Sequence, residues 1–128
     1  MRAKILNASA GSGKTYQLAY KYVRDVIDQP GLYRHILAVT FTNKATEEMK
    51  SRILKEIHRL ASGGASPYLE NLCRELSLDE RSVRKRAAEV RSKILHDYSR
   101  FTVLTIDTFF QRILRAFIKE LGIDLNYN

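Results

Sequence analysis

ASAGSGKT, residues Ala8 to Thr15, follows directly on the short apolar pair Ile5 and Leu6. The stretch fits G-x-x-x-x-G-K-[ST], with Ala8 standing where the first glycine usually stands. Its residue types suit a backbone cradle for phosphate. Gly11 and Gly13 let the chain turn tightly with no Cβ in the way, so successive N–H groups can converge on one anion. A helix starting where the loop ends adds its N-terminal N–H groups and its dipole. Lys14 reaches the β- and γ-phosphates as a point charge, and the Thr15 hydroxyl is a ligand for Mg²⁺. The candidate nucleotide-binding residues are therefore Ala8, Ser9, Ala10, Gly11, Ser12, Gly13, Lys14 and Thr15, with Lys14 the candidate catalytic residue and Thr15 the candidate metal ligand. Read alone, the loop speaks of a nucleoside triphosphate and of no particular purpose.

Working outward, strands and helices alternate. Residues 3–8 form a first strand. Residues 14–28 read as a helix with Leu18, Tyr22, Val23 and Val26 on one face, ended by Gln29-Pro30-Gly31. His35 to Phe41 is apolar and β-branched, as a buried strand is. A helix follows from about Asn43 to Leu60, with Ala45, Met49, Ile53, Ile57 and Leu60 inward. Ser62 to Pro67 is a flexible break, and 67–76 a short helix. Ser77 with Glu80 reads as a capping box opening a helix to about Tyr98, whose buried face is Val83, Ala87, Val90, Ile94 and Tyr98. Phe101 to Ile106 is a third strand. Asp107 or Thr108 caps a last helix through Leu121, with Gly122 at the position after it. The expected fold is α/β, a mostly parallel sheet flanked by helices. The last helix carries Phe109, Phe110, Ile113, Leu114, Phe117, Ile118 and Leu121, a band too wide for one buried side, and predicts a partner surface.

The chain has 128 residues, one domain by length, and a formal net charge of +8. That balance favours polyanionic partners, nucleic acid first. Part of it crowds the helix at 81–100, where Arg81, Arg84, Lys85, Arg86, Arg91 and Lys93 read either as a solvated face or as the lining of a nucleic-acid path. One cysteine, Cys73, forms no internal disulfide and reads as a small core residue. His35, His58 and His96 lie singly and show no metal-ligand spacing. The N-terminus lacks the apolar stretch of a signal peptide, and no run approaches the ~18 apolar residues of a membrane span. A cytoplasmic protein without a membrane partner is expected.

Two further segments bring polar groups to strand ends. LAVTFTNKATEEMKSRI (37–53) ends a strand in Thr40, Phe41, Thr42 and Asn43, then opens a helix with Lys44. Open α/β sheets bind ligands beyond the carboxyl ends of their strands. An aromatic, two hydroxyls, an amide and a lysine there could hold a nucleic-acid backbone and stack one base. Equally, Thr42 and Asn43 could be helix caps only and Phe41 core only. VLTIDTFFQRILRAF (103–117) delivers Thr105, Asp107 and Thr108 to the same edge. Asp107 reads either as a metal-holding carboxylate at a strand end or as a helix N-cap.

Taken together, the three segments resemble motifs I, Ia and Ib of superfamily 1 DNA helicases of the UvrD/Rep type. ASAGSGKT resembles motif I, particularly of the RecB/AddA-like branch. TFTNKATEEMKSRI (40–53) is similar to motif Ia almost letter for letter, and TIDTFFQRILRAF (105–117) resembles motif Ib. The helical stretch at roughly 60–100 resembles the insertion of that branch. The resemblance covers nearly the whole chain. It implies the N-terminal part of a P-loop (RecA-like) motor domain, binding ATP and Mg²⁺ and serving an ATP-driven translocase on single-stranded DNA in repair or recombination. Thr40, Phe41, Thr42 and Asn43 would lie along the DNA, with Phe41 near a base, and Thr105, Asp107, Thr108 and Phe109 would touch its backbone. The implied partners are single-stranded DNA, the remainder of a helicase chain, and a nuclease subunit or domain.

Three departures qualify the match. Asp107 stands where the family often has His, and a carboxylate repels phosphate. The upstream glutamine motif that reads adenine is missing. The Asp-Glu of motif II and the later motifs are absent, so the isolated chain is expected to bind nucleotide without hydrolysing it. A stand-alone P-loop protein of kinase or regulatory type, and a basic DNA-binding module, are the competing readings.

Overall fold

The computed structural model describes residues 4–8 and 12–122, with side chains from Thr15 onward. Three strands, β1 (Lys4–Ala8), β2 (Ile36–Thr40) and β3 (Thr102–Thr105), form one parallel sheet in that order. Between β1 and β2 run helix α1 (Ser12–Asp28) and a 3₁₀ turn (Pro30–His35). Between β2 and β3 come α2 (Asn43–Ser62), α3 (Leu69–Leu76), α4 (Glu80–His96) and a 3₁₀ turn (Tyr98–Arg100). Helix α5 (Ile106–Glu120) follows β3 directly. Parallel strands need long crossovers, and the helices between them supply these.

Strand residues alternate between faces, so Ile36, Ala38 and Val103 point one way and join the core. Tyr22, Val23, Val26 and Ile27 of α1 and Met49, Ile53, Ile57 and Leu60 of α2 meet them there, all buried. Val83, Ala87, Val90 and Ile94 of α4 recur three or four apart and close the far side of that core. Truncating one such side chain, as in Ile53→Ala, costs about 2–5 kcal/mol. One charge is fully buried within this packing. Glu56 takes Arg59 at 3.2 Å, Arg52 at 3.5 Å and the Ser66 hydroxyl at 2.9 Å, so its oxygens are paired as a buried carboxylate requires.

The expected elements are present, with corrections at their ends. Ser77 is not an N-cap: it ends α3 in the left-handed region at φ 53°, and Asp79 caps α4 by accepting from the Ser82 N–H at 2.8 Å. Helix α4 stops at His96, and Tyr98 lies half exposed in the following 3₁₀ turn, outside the buried face expected for it. Neither Asp107 nor Thr108 caps α5; Thr105 does. Gly122 does follow the end of α5, at φ 70°. The charged face of α4 is not wholly solvated. The Arg84 guanidinium donates to the carbonyls of Leu60 (3.1 Å) and Gly64 (3.0 Å), and Arg86 donates to those of Ile27 (3.3 Å) and Asp28 (2.9 Å). These carbonyls lie at the C-termini of α2 and α1, where a cation also meets the negative end of the helix dipole. Cys73 is partly buried against the core, and burial with the nearby Glu80 and Asp79 carboxylates pushes its thiol up. The apolar side of α5 stays open: Phe110, Ile113, Leu114, Phe117 and Leu121 are all exposed, and no residue of the helix is buried.

Candidate nucleotide and nucleic-acid edge

Backbone register brings the three motifs together. Ala8 pairs with Thr40, and Thr40 pairs with Thr105, across adjacent parallel strands. All three strands therefore end at one level on one edge of the sheet, and each motif continues from that edge.

Of the expected phosphate-binding residues, Ser9, Ala10 and Gly11 lie outside the described residues, as do the side chains of Ala8, Ser12, Gly13 and Lys14. What is described is the frame. Strand β1 ends at Ala8 and α1 begins at Ser12, so the helix N-terminus opens at the sheet edge. Thr15 sits in the first turn, 6% exposed. It lines a cleft of about 490 Å³ together with Tyr16, Glu47, Glu48, Ser51, Arg52 and Lys55. The α2 residues recur at four-residue spacing, 47, 51 and 55 beside 48 and 52, so they form one polar helix face. That periodicity was available in the sequence, where only the buried face of α2 was singled out. Arg52 is fixed twice, by Glu56 and by its position 5.5 Å from the centre of the Tyr16 ring. The Thr15 hydroxyl and two carboxylates are hard oxygen donors, which suits Mg²⁺. No group of three His, Cys, Asp or Glu side chains converges among the described residues.

At the end of β2 the two readings of Thr40 to Asn43 divide residue by residue. Thr40 is fully buried. Its hydroxyl lies 2.5 Å from the Thr46 hydroxyl and 3.2 Å from the Thr42 carbonyl. It supports the turn from beneath and offers nothing to solvent. Thr42 caps α2, accepting from the Ala45 N–H at 3.0 Å. Asn43 is the first helical residue and is exposed, as is Lys44. Phe41 is not core: it is 49% exposed, an expensive position for an aromatic ring unless something covers it.

At the end of β3 the Thr105 hydroxyl accepts from the Thr108 N–H at 3.3 Å and lies 3.0 Å from the Thr108 hydroxyl. Both threonines and Phe109 are partly exposed; Asp107 is exposed in the first turn of α5, where the helix dipole favours a carboxylate.

The three strands form an open parallel α/β sheet whose carboxyl edge gathers polar and aromatic residues, the place where open α/β sheets take their ligands. Comparison with known proteins makes this specific. The chain belongs to the UvrD/REP helicase N-terminal domain family, whose model matches residues 2–128. It is similar to the RecB component of the RecBCD enzyme of Escherichia coli, 31% identical over 93% of this chain and 11% of that protein. It is also similar to one component of the ATP-dependent helicase/nuclease of Lactococcus lactis (29%, over 96% and 9%) and to a probable DNA helicase II homolog of Mycoplasma capricolum (31%, over 94% and 15%). The chain thus spans roughly a tenth of the length of these relatives. No solved structure matches it. Among the described residues, no helix is long and apolar enough to cross a membrane.

Proposed function

We propose that this chain is the nucleotide-gripping and strand-gripping edge of an ATP-driven translocase on single-stranded DNA. The observation that carries the reading is the register of Ala8, Thr40 and Thr105, which sets the starts of all three motifs side by side. Ser9 to Thr15 wrap the triphosphate of ATP, with Lys14 on the outer phosphates and Thr15 on Mg²⁺. When bound, ATP supplies the phosphoryl group whose cleavage drives movement. Phe41 stacks on a base, and Thr42, Asn43, Thr105, Thr108 and Phe109 track the backbone. Thr40 holds the Phe41 turn in place. Asp107 faces outward in this arrangement and limits how closely a phosphate approaches the start of α5. Residues 60–100 act as a helical insertion that buttresses α1 and α2. The open side of α5 packs on the remainder of a longer helicase chain, which brings the missing catalytic carboxylates, and a nuclease domain or subunit completes the assembly. The protein works in the cytoplasm, in DNA repair or recombination.

The test is single-strand affinity of the 128-residue chain with and without a non-hydrolysable ATP analogue. Phe41→Ala is expected to lower DNA affinity about ten-fold, in line with 1–3 kcal/mol per stacked base. Lys14→Ala should lose the response to nucleotide. Salt-sensitive DNA binding that ignores both nucleotide and Phe41 would reassign the chain to a basic DNA-binding module, a reading its charge of +8 also supports. Steady ATP turnover by the chain, abolished in Lys14→Ala, would overturn the view that it binds without cutting.

A further inference from the structure

The opposite edge of the sheet carries a second charged feature. There, where β2 and β3 begin, a cleft of about 600 Å³ is lined by Tyr33, Arg34, His35, Lys93, His96, Asp97 and Arg100, with Gly31 at its margin. Its one acid is already spent. Asp97 receives Arg34 at 2.9 and 3.2 Å and the Tyr33 hydroxyl at 3.1 Å. Burial opposes its ionisation, but these bonds and the charges of Arg34 and Arg100 outweigh it and hold the carboxyl below its usual range. Tyr33 is itself buried, so the floor is built from the core.

The remaining cations of the cleft are placed differently from the arginines that serve the core. Arg84 and Arg86 are committed to helix-end carbonyls, and Arg52 and Arg59 to Glu56. Lys93 and Arg100 are exposed, and their side chains make no hydrogen bond or ion pair among the described residues. His96 donates its Nδ1 proton to the Ser92 carbonyl at 2.7 Å and so offers the cleft no further donor. Lys93 and Arg100 come from α4 and the 3₁₀ turn after it, and His35 from the end of the turn before β2, so three segments aim donors into one concavity.

We propose that this cleft is a second nucleic-acid contact, which binds backbone phosphates through Lys93, Arg100 and the His35 imidazole. It lies one strand length, about 16 Å, from the edge that carries Phe41. It does not rest on the helicase reading, since a phosphate backbone meets it whatever the phosphate loop does.

The experiment measures binding of the 128-residue chain to a short labelled oligothymidine and to a short labelled duplex across a range of KCl. Three variants are compared: Lys93→Glu/Arg100→Glu in the cleft, Arg81→Glu/Lys85→Glu on the exposed face of α4, and Phe41→Ala. The two double variants change net charge equally, and all four of their sites are exposed. The cleft variant is expected to lose about ten-fold or more on at least one probe. Its salt slope should fall by roughly 1.4–1.8, as the loss of two phosphate contacts requires. The charge-matched variant should lose less than about two-fold with its slope kept. Arg100→Gln, a milder change, should lower the slope by about half as much as the double variant. Equal losses in the two double variants would mean that only overall charge matters and would overturn the proposal, as would no loss in the cleft variant. Loss confined to Phe41→Ala overturns the cleft and leaves the strand edge standing; loss confined to the cleft variant does the reverse.

Discussion

The Thr40 hydroxyl meets the Thr46 hydroxyl 2.5 Å away, under the turn that carries Phe41 outward. Both side chains are buried, and the Thr42 carbonyl accepts from this pair at 3.1–3.2 Å. The contact ties the last residue of β2 to the first turn of α2. Removing one hydroxyl takes away the other's hydroxyl partner and leaves it the Thr42 carbonyl. Thr40→Val or Thr46→Val should each cost about 0.5–1.5 kcal/mol in urea unfolding, and the double variant less than their sum. Strict additivity would mean that the two hydroxyls do not depend on each other.

Arg84 is the second test, because it separates structure from charge. Its guanidinium serves the end of α2, so Arg84→Gln should lower stability by about 1.5–3 kcal/mol, the range for hydrogen bonds to a charged group. Arg81→Gln, on the same helix but exposed, should stay within about 0.5 kcal/mol. Equal thermal shifts in the two would argue against the carbonyl contacts.

The α3–α4 junction gives a prediction whose sign depends on the cap. Ser77 holds φ 53°, a region where glycine is unstrained. Ser77→Gly should therefore be neutral or stabilising by up to about 1 kcal/mol. Asp79→Ala should cost about 1 kcal/mol, as loss of an N-cap does. Were Ser77 the N-cap, the larger loss would fall on position 77 instead.

Much of this was legible in the sequence, and the reasons differ by element. The β2 run and the buried stripe of α2 announce themselves because strand and helix place apolar residues with different periods. Gly122 was legible because few other residues tolerate its conformation. The capping box at Ser77 failed because Asp79 with Ser82 offers an equally good cap. Only the left-handed close of α3 decides between them, and that close depends on how α3 packs. Arg84 and Arg86 could be read as charges but not as caps. Their partners lie about twenty and nearly sixty residues away, and nothing local reports that α4 crosses the ends of α1 and α2. Phe41 was undecidable between core and surface because a strand end belongs to both. The cleft beside Thr15 needed α1 and α2 side by side, although the α2 face lining it has a helical period.

Asp97 sets an acid-side expectation. Its folded-state pKa is lowered, so its contribution is present above the unfolded value of about 3.9 and fades as pH falls through the folded value. Asp97→Asn should lower stability near neutral pH and flatten its decline below about pH 4. A parallel offset at every pH, read from urea midpoints, would assign the loss to packing and not to ionisation.

The in-register edge has a mechanical consequence. Neighbouring strands in a sheet stand about 4.8 Å apart and are joined by backbone hydrogen bonds, which do not stretch. From Ala8 to Thr105 is two such steps, so the lateral separation of the two outer motifs is fixed at roughly 10 Å. A pull on the loop after Ala8 reaches the turn at Phe41 through a single rigid rung. The edge behaves as a gauge block that keeps the ends of the three strands at fixed lateral spacing.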